Sequence, residues 1–277
     1  MNYVFIADFF ANEILGGGEL NNQELIEILK DRGHEVLQIK SSFVTPDFIE
    51  ENSNSFFIIA NFVMLSEGCK HALSNKKYVI YEHDHKYLAH RNPARCKHFK
   101  CSEQYIINRD FYRSAKAVLC QSRFHSDIVN ENLNTDNVLN LGGNLWPLSS
   151  LSKMREIANK EKQNKCSILD SNISHKNTIG AIQYCKSKGY KYELVKSNSY
   201  YEFLDKLGAN EKFCFFPKTP ETLSRVVVEA RMMNMSIVIN KLIGAKSEPW
   251  FSLKGNELID IIEHKRVEIP EKIECLL

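Results

Sequence analysis

The sequence predicts an α/β fold made of two wound, parallel-sheet domains. The chain has 277 residues, which is about twice the roughly 150 residues of an average domain. Short apolar, β-rich runs alternate with segments of helical periodicity, and a turn-rich stretch at residues 141–147 divides this alternation into two series. Because strands that alternate with helices pair in parallel, each series predicts one parallel sheet with helices on its faces.

The first series begins with a strand, a glycine loop, a helix and a second strand. Residues 3–9 are apolar, three glycines at residues 16–18 end that pattern, and residues 19–30 place leucine and isoleucine at helical spacing. Residues 35–40 then complete a βαβ unit. Ser122 is placed to cap a later helix. The remaining strands are expected at residues 56–59, 77–81 and 117–121, and the series ends near residue 140.

The second series repeats the alternation after the turn-rich stretch. Its strands are expected at residues 167–169, 192–195, 213–216 and 236–240, and its helices at residues 151–165, 177–188, 223–233 and 256–264. We therefore expect one domain at residues 1–147, a second at residues 148–250, and a C-terminal helical segment at residues 251–277 that packs back on the first domain.

The composition is that of an ordinary globular protein. Apolar residues make up 43% of the chain and charged residues 25%, which excludes wholesale disorder, a collagen-like repeat and a small disulfide scaffold. The longest apolar run is about half the ~20 residues that a membrane-spanning helix needs. The N-terminus lacks a signal-peptide pattern, so we expect a cytoplasmic protein. Eight cysteines at scattered spacings predict reduced, mostly buried thiols.

Two carboxylates flank the predicted start of a helix in the second series. The strand at residues 213–216 ends before Pro217, so backbone N–H groups near Leu223 and Ser224 would form an anion site at the helix N-terminus. Glu221 and Glu229 would stand roughly 12 Å apart along a helix axis. A nucleoside diphosphate sugar has about that span between its ribose and its hexose hydroxyls, so each carboxylate would accept hydrogen bonds from one end.

These residues resemble the retaining glycosyltransferases of the GT-B fold, especially glycosyltransferase family 4, whose signature is two glutamates separated by seven residues. The resemblance implies two Rossmann-like domains facing a cleft, the first binding the acceptor and the second the nucleotide sugar. The family usually has glycine four or five residues before the second glutamate, where this chain has Ser224 and Arg225.

Further matches occur in the family's order. Gly17 and Gly18, within Gly-Gly-Gly-Glu, resemble the loop where backbone approaches the substrates closely, because only glycine leaves that space. His83, after the strand at residues 77–81, matches a histidine that lies beside the transferred sugar. Lys176 matches a lysine that meets the diphosphate. The family's arginine five or six residues earlier is absent, and we hypothesise that Arg225 replaces it.

The resemblance implies transfer of a hexose or pentose from a nucleoside diphosphate sugar to a hydroxyl, with retained configuration. We expect no metal and no cofactor, since the nucleotide sugar is a substrate. The expected catalytic residues are His83, Lys176 and Glu221. The expected donor-binding residues are Gly17, Gly18, Lys176, Leu223, Ser224, Arg225 and Glu229.

A basic segment, defined as residues 70–123, suggests an anionic acceptor. It holds twelve Lys or Arg residues against four acids, with aromatic residues among them. The candidate acceptors are a phosphorylated glycan, an anionic lipid surface, or nucleic acid that carries a hydroxylated base.

Four other functions are compatible with parts of this sequence to different degrees. A catalytically idle GT-B relative that only binds its ligand and a nucleotide-sugar epimerase both stay open. A dinucleotide-dependent oxidoreductase is disfavoured because Asn21 occupies the third glycine position of Gly-x-Gly-x-x-Gly. A zinc site at Cys96 and Cys101 with upstream histidines is disfavoured because no Cys-x-x-Cys pair occurs.

Overall fold

The computed structural model describes all 277 residues and divides the chain into two compact units. Unit 1 comprises Met1–Leu145 and Arg266–Leu277, and unit 2 comprises Trp146–Lys265. Each unit contains one sheet whose strands are all parallel. The predicted α/β class with two parallel sheets is therefore confirmed.

Unit 1 contains a six-stranded sheet of order β2-β1-β3-β4-β5-β6. Its strands are β1 (Asn2–Ala7), β2 (Glu35–Lys40), β3 (Phe56–Ile59), β4 (Tyr78–Tyr81), β5 (Ala117–Cys120) and β6 (Val138–Asn140). Its helices are α1 (Gly17–Asp31), α2 (Pro46–Glu51), α3 (Glu67–Leu73), α4 (Arg109–Ser114) and α5 (Arg123–Leu133). The strand order reverses between β1 and β3, and ligands of such sheets bind beyond the carboxyl ends of the strands at that point.

The core of unit 1 lies on both faces of this sheet. Side chains of a strand alternate between faces, so Val4 and Ile6 enter one buried cluster while Tyr3 and Phe5 enter another. Strand β3 is buried throughout. Such continuous apolar strands are typical of parallel sheets covered on both sides, which is why they were predictable from the sequence.

Unit 2 contains a four-stranded sheet of order β10-β9-β7-β8. Its strands are β7 (Gln163–Leu169), β8 (Tyr192–Val195), β9 (Asn210–Phe215) and β10 (Ser236–Ile239). Its helices are α6 (Leu148–Ala158), α7 (Thr178–Ser187), α8 (Tyr200–Gly208) and α9 (Arg225–Met232). The strand order reverses between β7 and β9, so the loops that follow these two strands begin side by side.

A last helix, α10 (Gly255–Glu274), belongs partly to each unit. Leu258 and Ile262 pack in the core of unit 2, whereas Ile269 and Ile273 pack in the core of unit 1. Glu274 pairs with Arg32 at 2.6 Å within unit 1. No helix of the chain combines the length and the apolarity that crossing a bilayer requires.

Several predicted boundaries are wrong. The helix expected at residues 151–165 ends at Ala158, and β7 already begins at Gln163. The helix expected to start just after Glu221 begins at Arg225. The final helix is longer than residues 256–264. Helices α2, α3, α4 and α8 were not assigned from the sequence. The first three have only six or seven residues, which is too few for a clear period.

The expectation that all cysteines are reduced is also wrong. Cys96 and Cys101 are joined by a disulfide. The remaining six cysteines are free, and only Cys275 among them is exposed. A pair five residues apart has no spacing that marks it in a sequence, and the loop geometry alone brings the two sulfurs together.

Candidate active site

The glycine loop of unit 1 lies against His83. Gly16 precedes α1, and Gly17 and Gly18 are its first residues. A Cβ atom on Gly18 would lie 3.6 Å from the His83 ring, which is van der Waals contact distance. The Gly18 backbone therefore lies directly beside that ring. A Cβ atom on Gly16 would lie 2.1 Å from Glu19 Oε2, because the Glu19 carboxylate folds over Gly16. Two motifs that lie far apart in the sequence thus meet in one place.

His83 is held in a defined tautomer. Its Nε2 lies 2.7 Å from Asn22 Oδ1, and the Gln121 side-chain amide donates to its Nδ1. A carbonyl oxygen only accepts hydrogen bonds, so Nε2 must carry the hydrogen. The ring also packs on Tyr81, with 4.8 Å between centroids. Nε2 donates a hydrogen bond and Nδ1 accepts one, so these contacts hold the His83 ring in its neutral form and in one orientation.

A charged cluster that the sequence analysis did not assign flanks His83 on both sides. The Nζ atom of buried Lys86 lies 3.0 Å from Glu82 Oε1 and 2.6 Å from Asp84 Oδ1. The Asp84 N–H donates to Glu82 at 3.0 Å, and the Tyr112 hydroxyl donates to the same carboxylate. The four-residue spacing of Glu82 and Lys86 is no signal here, because residues 82–86 form a loop and not a helix.

This network fixes the charges of its members. Burial opposes ionisation of Glu82, but Lys86, His125 and the hydrogen bonds outweigh it and hold its pKa well below the ordinary range. Burial lowers the pKa of Lys86, yet Asp84 and Glu82 raise it overall. The cluster is therefore two carboxylates around one ammonium, and Asp84 is its exposed member, also paired with Arg91 at 3.0 Å.

In unit 2, Lys176 and Glu221 form an ion pair. Lys176 Nζ lies 2.8 Å from Glu221 Oε1 and 3.1 Å from Oε2. Lys176 follows β7 and Glu221 follows β9, so the strand order brings the two residues together. The Glu221 N–H donates to the Leu242 carbonyl at 2.8 Å. A Cβ atom on Gly244 would lie 2.2 Å from the Thr222 carbonyl oxygen, so glycine is required beside this loop.

Ser224 stands immediately before α9 in a left-handed conformation, with φ +76°. Its Oγ is buried and has no hydrogen-bond partner. Glycine adopts this backbone without strain, which explains why the family that the sequence resembles carries glycine at or next to this position. Leu223 is fully buried, so its side chain belongs to the core and its backbone alone lies at the loop.

The spacing of the two glutamates differs from the predicted picture. Glu221 lies outside the helix, in a bridge with Ile243, and α9 begins four residues later. The expectation that one helix spaces the two glutamates by roughly 12 Å along its axis is therefore wrong in its geometry, because only Glu229 lies in α9.

Glu229 lies in a buried polar cluster. Its Oε1 accepts hydrogen bonds from Trp146 Nε1 at 2.9 Å and from the Tyr200 hydroxyl at 2.6 Å. Arg225 Nε lies 3.7 Å from the same oxygen, and the Arg225 guanidinium stacks 4.2 Å from the Trp146 ring centroid. Burial and the Glu229 charge raise the pKa of Tyr200 well above its usual value. No sequence signal marks Trp146 and Tyr200, since neither belongs to a recognisable motif.

The basic segment at residues 70–123 is less cationic at its surface than its sequence indicates. At least six of its twelve cations pair with carboxylates: Lys70, Lys76, Lys86, Arg91, Lys100 and Arg109. Five of its aromatic residues are buried: Tyr78, Tyr81, Tyr87, Phe111 and Tyr112. The exposed cations concentrate in a basic loop, defined as residues 91–100, which carries Arg91, Arg95, Lys97 and Lys100.

Comparisons with known proteins identify the fold. No protein-family description matches the chain, and no curated protein matches it. Among the similar solved structures, the following match over nearly the whole of both chains. An alpha-glucosyltransferase in complex with UDP and DNA containing an HMU base has a TM-score of 0.52 and 12% identity, covering 98% of this chain and 94% of that one.

Two further structures are similar to a comparable extent. Alr3699/HepE of Anabaena, in complex with UDP and glucose, has a TM-score of 0.53 and 12% identity, covering 100% of this chain and 92% of that one. The lipopolysaccharide outer core galactosyltransferase WaaB has a TM-score of 0.52 and 11% identity, covering 98% and 91%. Together with the two parallel sheets, these similarities establish that the chain has the GT-B glycosyltransferase fold.

Proposed function

We propose that this protein is a retaining glycosyltransferase that moves a sugar from a nucleoside diphosphate sugar to a hydroxyl of an anionic acceptor. The Lys176–Glu221 ion pair beside the start of α9 carries the proposal. Lys176 supplies a cation for a diphosphate, and the start of α9 supplies helix N–H groups for the same ligand. Glu221 supplies a carboxylate that can accept hydrogen bonds from sugar hydroxyls. The GT-B fold supports a nucleotide-sugar ligand, since similar structures contain UDP or UDP-glucose.

The diphosphate is assigned to Lys176 and to the first turn of α9. The first N–H groups of a helix have no intrahelical partner and attract anions. The buried Ser224 hydroxyl adds a donor without a partner at the same helix end. When the glycosidic bond breaks, negative charge grows on the leaving diphosphate, and these fixed donors would stabilise that charge. Arg225 remains a hypothesised contributor to donor affinity.

The ribose is assigned to Glu229. Trp146 and Tyr200 hold its Oε1, so the carboxylate has a fixed orientation before any ligand binds. A preorganised acceptor of hydrogen bonds costs less on binding than a mobile one. Glu221 is assigned to hydroxyls of the transferred sugar, and its ion pair with Lys176 orients it.

In unit 1, His83 and the backbone of Gly17 and Gly18 are assigned to the transferred sugar. The support is that the Gly18 backbone and the His83 ring lie next to each other, so a single ligand could contact both. His83 has no role as a proton acceptor in this assignment, because its Nδ1 already receives the Gln121 amide.

We assign an anionic acceptor to this protein because the basic loop would attract negative charge. Its cations are exposed, and one similar structure holds DNA that contains an HMU base. DNA with a hydroxylated base is the acceptor to test first, followed by phosphorylated glycans and anionic lipids. Binding through such cations should weaken as salt rises.

The test combines donor binding with product analysis. Calorimetry with UDP-glucose measures donor affinity, and mass spectrometry of DNA with hydroxymethylated pyrimidines measures sugar transfer. NMR of the product anomeric proton then reports retention. Transfer with retained configuration supports the proposal, and failure to bind any nucleotide sugar overturns it. Binding without turnover identifies an idle binding module, and an isomerised free donor identifies an epimerase.

A further inference from the structure

A cluster of sulfur and imidazole atoms is formed by Cys96 of the basic loop and by His90 and Cys101, the residues that directly flank that loop, none of which is assigned to the sugar donor. Cys96 and Cys101 form a disulfide. His90 Nε2 lies 3.9 Å from Cys96 Sγ, and the ligand atoms of all three residues lie within 4.8 Å of one another. Such a cluster is either a soft-metal site or a thiol–disulfide site.

The tautomer of His90 favours the thiol–disulfide site. The Asn92 backbone N–H donates to His90 Nδ1 at 3.2 Å. A backbone N–H is always a donor, so Nδ1 must hold the lone pair, and the hydrogen of the neutral ring is on Nε2. Nε2 is the atom that faces the sulfur of Cys96. A protonated nitrogen cannot bind a metal, but it stabilises a thiolate.

The two sulfurs differ in their access to solvent. Cys96 is half-buried, whereas Cys101 is only 7% exposed. The Cys101 N–H donates to Asn132 Oδ1 of α5 at 2.8 Å, and Asn132 Nδ2 donates to the Phe99 carbonyl. Cys101 is therefore anchored on α5, and an external reagent reaches Cys96 first.

The charges around Cys96 select the kind of reagent. Arg95 and Lys97 flank it and are exposed, and Lys100 precedes Cys101. This positive charge favours a thiolate and attracts an anionic disulfide. Oxidised glutathione is such a disulfide, since its carboxylates outnumber its amines.

We propose that Cys96 and Cys101 form a reversible thiol–disulfide exchange site for anionic low-molecular-weight disulfides, with Cys96 as the entry sulfur and His90 as its hydrogen-bond donor. The Cys96 thiolate attacks one sulfur of the small disulfide, a mixed disulfide forms, and one small thiolate leaves and takes up a proton. The Cys101 thiolate then attacks Cys96 Sγ and releases the second small thiol. Two protein thiols are oxidised, and one small disulfide is reduced to two thiols.

The other cysteines allow a clean measurement. Cys69, Cys120, Cys166, Cys185 and Cys214 are buried, and only Cys275 is exposed. Burial raises the pKa of the Cys120 thiol well above its usual value, and burial raises that of Cys166 to about 12. These thiols are therefore inert under native conditions, and a Cys275→Ser background leaves Cys96 and Cys101 as the reactive pair.

The experiment treats the reduced Cys275→Ser protein with oxidised glutathione and follows the reaction by alkylation and mass spectrometry. We expect the Cys96–Cys101 disulfide to form, and Cys101→Ser to accumulate a mixed disulfide on Cys96. Cys96→Ser should react at least about tenfold more slowly, because Cys101 is buried. Cationic cystamine should react more slowly than glutathione disulfide at low salt, and added salt should reduce the difference.

His90 is tested by a pair of substitutions. A tenfold larger thiolate fraction increases the exchange rate by only about threefold, since nucleophilicity falls at the same time. His90→Leu should therefore slow the exchange about threefold, and His90→Gln, which keeps an N–H donor, should restore most of the rate. A loss of folding would slow both variants equally, and circular dichroism separates that outcome.

Two results would overturn the proposal. One is a reaction of the folded protein with glutathione disulfide that is no faster than that of the urea-unfolded chain. The other is stoichiometric binding of Zn²⁺ to the reduced protein that protects both thiols from a thiol reagent, which would identify a metal site instead.

Discussion

Lys176 and Glu221 are 45 residues apart in the sequence, and their side chains form an ion pair with an Nζ–Oε1 distance of 2.8 Å. Both are partly buried, with side-chain exposures of 26% and 14%. The pair places a cation and a carboxylate at the carboxyl ends of β7 and β9, where ligands of open parallel sheets bind.

Lys176→Ala should weaken UDP binding about 10- to 100-fold, because it removes a charge-assisted hydrogen bond and leaves Glu221 unpaired. Calorimetric titration with UDP measures the effect. The exposed Lys186 of α7 provides the control, and Lys186→Ala should leave the affinity unchanged. Equal affinities for parent and Lys176→Ala would remove Lys176 from the donor site.

Glu221→Gln should distinguish binding of the sugar from binding of the nucleotide. If Glu221 binds sugar hydroxyls, the affinity for UDP-glucose falls about tenfold while the affinity for UDP changes little, since a carboxylate accepts stronger hydrogen bonds than an amide. Parallel titrations with the two ligands measure the difference. A matching loss for both ligands would place Glu221 at the diphosphate instead.

Tyr200→Phe should lower the free energy of unfolding by about 1.5–3 kcal/mol, because it removes a hydrogen bond to the buried Glu229 carboxylate. It should also reduce the preference for UDP over its 2′-deoxy analogue, since Glu229 then loses part of its orientation. Urea unfolding and competitive titration measure these effects. Tyr201, whose hydroxyl bonds exposed Ser149 at 2.8 Å, is the matched control, and Tyr201→Phe should change both quantities little.

Ser224→Gly should raise the free energy of unfolding by about 0.5–1 kcal/mol, because glycine adopts the left-handed backbone without the penalty of a side chain. Urea unfolding measures the gain. Asn234 also has positive φ, at +66°, but asparagine tolerates that region well, so Asn234→Gly should gain less. A stability loss in Ser224→Gly would mean that the serine side chain stabilises the loop.

Unfolding should become easier as pH falls from about 6.5 to 4. Burial lowers the pKa of His85 to about 4, and burial lowers that of His125 well below its usual value. In this pH range the unfolded chain binds protons that the folded chain does not, so stability falls with pH. A shift from 6.5 to about 4 corresponds to about 3 kcal/mol for His85.

His85→Asn tests this dependence. Asparagine tolerates the left-handed backbone at this position, where φ is +61°. The slope of unfolding free energy against pH should decrease in His85→Asn and persist in His71→Asn, since His71 is exposed. An unchanged slope in His85→Asn would assign the pH dependence to other groups.

Acid should weaken the Glu82 network only at lower pH. The folded pKa of Glu82 is depressed, so its contribution is present above the unfolded value and is lost as pH falls through the folded value. The histidine effect therefore comes first on acidification, and the glutamate effect follows it.

The sequence was sufficient to predict the exact ends of several strands. Residues 35–40, 56–59 and 192–195 match β2, β3 and β8 at both ends, and Ser122 accepts the His125 N–H at 3.2 Å as a helix cap. Periodicity and capping are local properties, so they are readable without a structure. The region after Ala158 was misassigned because the polar N-terminal end of β7 has the composition of a polar helix.

The sequence by itself determined the α/β alternation, the two sheets, and the loops that carry Lys176, Glu221 and His83. Only the tertiary structure decided which side chains meet. The order β10-β9-β7-β8 brings Lys176 to Glu221, and folding brings Trp146 and Tyr200 to Glu229 and His90 to Cys96. These contacts join residues whose separation follows no period, because they depend on how strands are ordered and how loops close rather than on local spacing.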